Sequence, residues 1–595
     1  MKNTYSSRLQ AVRNKMAKLN LDAFIVPHED QYLLEEVAEY NNRLKWLSGF
    51  TGTAGVVVIL KNRAIMFVDG RYQVQVAEQV NNALFEFECL STFSSNDWAD
   101  KLLPSEVLIG VDCKLHAFSW YKKFTQALSK SGKYCLAVEE NLIDLCWIER
   151  PSKNIKPITF LQEKYHGKSS KLKIKQVAQR LKSNNVNNAI ITNLDSICWL
   201  LNLRGRDIPC LPVFYATAII SENSEVLCFL DLKKLPKDIT IQFEPSVSFR
   251  CESELDSYLA AISSERIQID PETINAAMVN LLIKDDVEII ENLDPVSLLK
   301  SEKNAVEIAG FKNCHLRDGS AVVAFLAWLE QTTSALVFYD EKVLSDRLES
   351  MRLKDSLYQE ASFETVSAVG SNAAMCHYNH KDTTPALMTN NSVYLFDSGG
   401  HYLDGTTDVT RTVAIGQVTN EQIKMATLVL KGHIALATLK FPQGTTGQHI
   451  DALARQHLWQ HGYDYAHGTG HGVGHYLNVH EGPQRIAKFN SGVALAAGMV
   501  VSIEPGYYRE GEFGIRHENL YMIKESEMPV GAEVKTLQFE VLTHVPFDRK
   551  LIDKTMLSEQ EINWLNQYHH RVYHHIASLS NETNKAWLAK ATMPF

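Results

Sequence analysis

No stretch of this 595-residue sequence stays apolar for the roughly 20 residues that a membrane-crossing helix needs. The first 20 residues also lack the run of about 7 to 15 apolar residues that a secretory signal carries, so a cytoplasmic protein without a membrane partner is expected. The ten cysteines are scattered from Cys89 to Cys376 and form no C-x-x-C pair. That spacing argues against a disulfide framework and a thiolate zinc knuckle, leaving reduced and mostly buried thiols. Blocks of one charge are missing too. The formal net charge of -9 is spread over both signs and offers no basic stripe to a nucleic acid. There is no G-x-S-x-G elbow, and no H-E-x-x-H helix, which removes the zincin reading.

What is present is the composition of an ordinary globular protein, 45% hydrophobic and 22% charged, on a chain too long for one core. Two segments repeat a pattern. Leu9, Val12, Met16 and Leu19 recur at helical spacing before the strand-like Ala23 to Val26, and Val177, Leu181 and Val186 do so before Ala189 to Ile191. Each segment then reaches a Trp-Leu pair, Trp46-Leu47 or Trp199-Leu200, followed by turn residues and an apolar strand, Val56 to Leu60 or Val213 to Ile220. The expectation is two similar mixed α/β domains, 1–152 and 153–299. A third domain of α+β character, 300–595, opens with a long helix carrying Val306, Ala309, Cys314, Val322 and Phe325. The His-containing tail Tyr568 to His575 reads as helical surface, because no carboxylate sits at ligand spacing within it.

Chemistry concentrates in about 120 residues of the third domain. Asp397 and Asp408 flank a Gly-rich segment between two strand candidates, an arrangement that brings two mutually repelling carboxylates together. His467, His471, His475 and His480 follow, but Gly468, Gly470, Gly472 and Gly474 make a helix improbable and close backbone packing the better reading. No Lys-Ser or Lys-Thr follows those glycines, so a phosphate cradle is not indicated. Glu504 and Glu518 each end an apolar strand candidate, where an unpaired carboxylate is costly to bury. Singly, each feature is commonplace. Jointly, four carboxylates and a Gly-embedded His in strand-end contexts favour a metal site.

With these residues the sequence resembles the pita-bread metallopeptidases, whose ordered ligand set is Asp, Asp, His, Glu, Glu. The match implies Asp397 as ligand to one ion, Asp408 and Glu518 shared by both, and His471 and Glu504 completing the other. Asp-Gly-Arg-Tyr at Asp69 to Tyr72 and Asn-Leu-Arg-Gly at Asn202 to Gly205 resemble the two creatinase-like N-terminal domains of the long, three-domain cytosolic Xaa-Pro aminopeptidases. The resemblance implies removal of the residue preceding a proline at the second position of a peptide, two divalent ions and a homodimer. It also implies substrate-site roles for His377, His467 and His480, a place for Arg516 beside the metals, and Tyr508 against the proline ring. The oxygen-rich donor set suits manganese, with cobalt or zinc as substitutes, and two such ions can acidify a water and polarise a scissile carbonyl. Glu504 would serve as proton shuttle as well as ligand. His380, His401 and His475 are read as structural or exposed. Prolidase action on Xaa-Pro dipeptides and a non-catalytic peptide-binding module are the alternatives.

Overall fold

The computed structural model describes residues 4–90, 107–243, 245–489 and 491–595, so the start of the N-terminal segment considered above lies outside the described residues. The chain forms two compact units, 1–160 with 168–296, and 161–167 with 297–595. No described helix is long and apolar enough to cross a membrane. All ten cysteines are free, five of them buried.

The first unit holds two six-stranded sheets of one design. In the first, β1 (Ala23–Pro27), β2 (Gly55–Leu60), β3 (Ala64–Val68), β4 (Glu86–Cys89), β5 (Leu108–Val111) and β6 (Tyr134–Ala137) lie in the order β4-β3-β2-β1-β5-β6. Strand β1 is antiparallel to β2 and parallel to β5. The second sheet repeats this order and these directions with Asn188–Ile191 in the place of β1 and Ala216–Ser221 in the place of β2. Each Trp-Leu pair closes a helix on a left-handed residue, Gly49 at φ 86° or Asn202 at φ 54°, which frees the chain to turn into the next strand. The helix Thr4–Lys18 buries Leu9, Val12 and Met16, while Leu19 lies past its end and is exposed. The two Arg-containing texts do structural work. Arg71 and Asp69 close a turn through paired bonds, and the buried Arg204 donates to the carbonyls of Cys198 and Leu203.

The second unit begins with the helix Ser297–Ser301, and Asn304 caps the helix Ala305–Ser334 by a capping box with Glu307. Cys314, Val322 and Phe325 face the core, whereas Val306 in the first turn is exposed. Val322, Phe325, Leu326 and Leu329 pack on Tyr394, Phe396, Val409 and Val413, so the helix braces the strands Ser392–Ser398 and Val409–Ile415. Burying each such side chain contributes roughly 1.5–3 kcal/mol. An antiparallel six-stranded sheet runs Lys440–Pro442, Thr536–Val541, Asn519–Glu525, Val500–Ile503, Gly470–Gly472, Glu481–Ile486. The helices Asn420–Ala437 and Gly447–Trp459 cover it, with Leu436, Ile450 and Ala454 against Val501, Ile503 and Tyr521.

The tail is helical, as Glu559–Ile576, and of its histidines His570, His574 and His575 are exposed. Tyr568 and His569 are buried, which corrects the surface reading, because the apolar spacing of Leu565, Val572 and Ile576 turns that face inward. His569 Nε2 accepts from the Phe547 backbone N–H at 3.2 Å, and burial pushes the imidazole down to about 3 from the usual 6.5. The unfolded chain therefore takes up a proton that the folded chain refuses, and stability falls as pH drops from about 6.5 toward 3, by about 1.4 kcal/mol per pH unit. Thermal denaturation between pH 6.5 and 4.5 is expected to show a steeper loss in the wild type than in His569→Gln, whose amide oxygen can accept the same bond. Equal slopes would exclude His569 as a source of acid sensitivity.

Candidate metal centre

The strands Ser392–Ser398 and Val409–Ile415 pair antiparallel with Asp397 opposite Thr410 and Ser398 opposite Val409. Side chains alternate along a strand, so Asp408, Thr410 and Asp397 fall on one face. The segment between the two carboxylates is more than a turn. Gly400–Tyr402 and Gly405–Thr406 pair with each other and add to Tyr358–Ala361 as a small sheet.

His471 is the middle residue of the strand Gly470–Gly472. The flanking glycines are there for space: a Cβ on Gly470 would lie 2.0 Å from the Ser502 carbonyl, and one on Gly472 would lie 2.4 Å from the Glu481 carbonyl. His471 Nδ1 is 2.8 Å from the Gly472 carbonyl oxygen, which can only accept, so Nδ1 carries the hydrogen. Nε2 is then left to face Asp408 Oδ2 and Glu504 Oε1, each 3.5 Å away. Ligand atoms of Asp408, His471 and Glu518 all lie within 4.8 Å of one another.

Glu504 follows the strand Val500–Ile503 and is held by its N–H on the Thr469 carbonyl at 2.8 Å and by Ser502 Oγ at 3.3 Å. Glu518 precedes the strand Asn519–Glu525, and Thr410 Oγ1 donates to its Oε2 at 2.8 Å. Arg516 ties the carboxylate face together. Its Nη2 reaches Asp397 Oδ2 at 2.6 Å, its Nε reaches Thr410 Oγ1 at 3.1 Å and its Nη1 reaches the Tyr508 hydroxyl at 2.8 Å.

Charge is the test of what this arrangement can hold. Burial pushes Asp397 up to about 7 although Arg516 pulls it down, with Asp408 and Glu504 adding repulsion. Burial and repulsion from Asp408, Asp397 and Glu504 hold Glu518 well above the usual carboxylate range. Asp397 Oδ1 is buried without a hydrogen-bond partner. An orphaned carboxylate oxygen and crowded, buried acids around one imidazole nitrogen demand positive charge at one point. Divalent cations fit that demand, and the donors, nearly all oxygen, are those of a hard ion.

Around these five, His480 meets the His471 ring edge to face at 4.5 Å between centroids. His467 Nδ1 bonds to the Gly468 carbonyl at 2.7 Å, and its Nε2 takes the Tyr508 hydroxyl at 2.8 Å. Tyr508 is thereby committed to Arg516 and His467 through its hydroxyl. His377 is half-buried and follows Cys376, whose carbonyl lies 3.5 Å from Arg516 Nη1. His380, His401 and His475 are all buried, His475 edge-on to Phe311 and His401 bonded to Thr406 Oγ1 at 3.1 Å.

Residues 309–525 match the family described as Metallopeptidase family M24, and 535–595 match the C-terminal region of peptidase_M24. Residues 8–143 and 149–307 each match a Creatinase/Prolidase N-terminal domain. A "Probable Xaa-Pro aminopeptidase P" of Botryotinia fuckeliana is 39% identical over 99% of this chain and 93% of that one. The chain belongs to metallopeptidase family M24. A relative of the same description from Colletotrichum graminicola is also 39% identical, covering 99% of both chains. The crystal structure of X-prolyl aminopeptidase from Caenorhabditis elegans, "a cytosolic enzyme with a di-nuclear active site", superposes with a TM-score of 0.96 at 35% identity over 100% of both chains. This M24 chain is a hydrolase, with two creatinase-like halves ahead of a pita-bread unit.

Sequence reasoning did not find the residues that support the M24 site from behind. Thr410 shares a face with Asp408 at i+2, a signal present in the text but too common to use alone. Arg455 donates to the His467 carbonyl at 2.8 Å, and Asp451 accepts from Thr469 Oγ1, both from the helix Gly447–Trp459. The glycine geometry makes a sharp expectation. Gly470→Ala must displace the backbone of Ser502 and should destabilise by about 1–3 kcal/mol with loss of bound metal. Gly468→Ala, whose Cβ would meet nothing closer than 3.6 Å, should be tolerated. Urea denaturation and metal content of the two variants check this, and equal behaviour would contradict the packing account.

Proposed function

We propose that this chain is a metal-dependent aminopeptidase that hydrolyses the bond between an N-terminal residue and a following proline. The observation that carries the reading is the buried grouping of Asp408, His471 and Glu518, whose ligand atoms lie within 4.8 Å of one another, with Glu504 beside His471 and Asp397 adding repulsion on Glu518. The full-length likeness to proteins described as Xaa-Pro aminopeptidases supports the substrate class. The domains 1–152, 153–299 and 300–595 are the proposed functional division.

Asp397, Asp408, His471, Glu504 and Glu518 would hold two divalent ions. Bound there, such ions would supply an acidified water nucleophile and polarise the scissile carbonyl. Glu504 accepts the proton released at the nucleophile and returns it to the proline nitrogen, which as a tertiary amide has no hydrogen and must be protonated to leave. Arg516 fixes Asp397 and Thr410, and through Thr410 it fixes Glu518. His377 and His480 donate to the oxyanion that develops. His467 is held by the Gly468 carbonyl and the Tyr508 hydroxyl, and it shapes the substrate side of the site. Manganese is the proposed metal on the oxygen-rich donor set, with cobalt or zinc able to replace it. The cytoplasm is the proposed compartment, in line with the cytosolic neighbour, and a homodimer is proposed, which sedimentation at assay concentration tests.

Metal-stripped protein resupplied with manganese should release arginine from Arg-Pro-Pro and leave Arg-Ala-Ala intact. Preference for the dipeptide Arg-Pro would instead mean prolidase action, and tight binding without turnover a non-catalytic module. Asp408→Ala and Glu518→Ala are each expected to abolish turnover together with metal binding; full activity at full metal content in either variant would overturn the site.

A further inference from the structure

Glu481, the residue after His480, ends in a pocket of opposite charge. Lys300 Nζ donates to its Oε1 at 2.8 Å, Lys303 Nζ donates to its Oε2, and Gln484 Nε2 reaches the same oxygen at 3.2 Å. All three charged side chains are at most 2% exposed. Lys300 belongs to the helix Ser297–Ser301, and Lys303 precedes the capping residue Asn304. The Lys303 backbone is also tied, its N–H donating to the Gly498 carbonyl at 3.0 Å.

A buried ion pair rarely stabilises a fold more than well-packed apolar side chains would, so its physical use is to specify one arrangement. Here the arrangement is local. The strand register breaks between His471, which faces Arg485, and Gly472, which faces Glu481. Such breaks re-aim side chains, and without an anchor the segment has no fixed register to fall into. His480 is the bend residue directly before the strand Glu481–Ile486, so the hold of the lysines on Glu481 fixes the backbone from which His480 projects, and its ring meets His471 at 4.5 Å.

We propose that Lys300 and Lys303, acting through Glu481, are positioning residues that hold the His480 ring at the candidate metal centre. The proposal rests on the reading of His480 as a substrate-site residue. None of the five candidate ligands belongs to this clamp, so its loss should slow turnover at full metal content rather than empty the site.

The test uses the manganese-loaded full chain and Arg-Pro-Pro, with kcat, KM, metal content and thermal midpoint measured together. The variant Lys300→Met/Lys303→Met/Glu481→Gln removes both lysines together with the carboxylate they share. It is expected to lose about 10- to 100-fold in kcat, with KM and metal content near wild type. In a His480→Ala background the same three substitutions should lower kcat no further, because the ring they position is gone. A full additional loss in that background, or unchanged kcat in the triple variant, would overturn the clamp. His480→Ala with wild-type turnover would remove the role of His480 itself and the clamp's function with it, and that single variant reveals the failure without any change at the lysines. Should the triple variant not fold, Lys300→Met, which keeps the Lys303 pair, carries the same cycle with a smaller loss expected in the same direction.

Discussion

Four carboxylates and one imidazole nitrogen share a space from which water is largely excluded, and the surrounding architecture can be understood as the means of keeping them there. Left alone, such a cluster disperses: side chains rotate to solvent or take up protons. Rotation is blocked because each acid sits at a strand end whose backbone is already committed. Asp397 is locked by its register with Thr410, Glu504 by the Thr469 carbonyl, and Glu518 by the N–H it gives to the Thr410 carbonyl at 3.2 Å. The repulsion is thereby held in place until cations offset it.

The layer behind the acids is cationic and rigid. Arg411 is fully buried on the strand that begins beside Asp408, and its guanidinium donates to the carbonyls of Thr410, Glu518, Val545 and Pro546, to Asn519 Oδ1 and to the Tyr568 hydroxyl. These acceptors are neutral, so the positive charge of Arg411 is left to act on Glu518. A second brace comes from the long helix: Asp318 pairs with Arg352 at 2.7 Å and accepts from the Tyr402 hydroxyl at 2.8 Å, in the small sheet between Asp397 and Asp408. The residues between the two acids are thus held as firmly as the acids.

Parts of this were legible in the sequence. The Asp397 and Asp408 strands, the non-helical Gly-rich histidine text and the twin pattern of the first 300 residues depend on local periodicity and on glycine sterics, which a sequence states directly. Other parts depend on partners far apart in the chain. Lys303 and Glu481 are separated by 178 residues, and Arg411 and Tyr568 by 157, so neither end carries a local sign of the other. The burial of His569 was obscured by its polar neighbours, since the apolar face of that helix is set by Leu565, Val572 and Ile576. The segment between the acids looked like a turn because its Gly and Asp residues are turn residues, yet pairing with Tyr358–Ala361 makes it a sheet.

The twin sheets of the first unit bear on the chain's history of assembly. Ile25, Val58, Phe67 and Ile109 of one sheet and Ile190, Ile219, Phe229 and Ile267 of the other lie in a single buried cluster. The two sheets thus share one interior, while the first keeps a second on its other face, where Phe24, Val57, Ile59 and Met66 meet the helix residues Leu9, Val12 and Met16. A ribosome releasing the first copy delivers one interior whole and the other only in part, so the shared face stays open until residues near 270 arrive. The boundary visible in the sequence therefore runs through a core that both copies build.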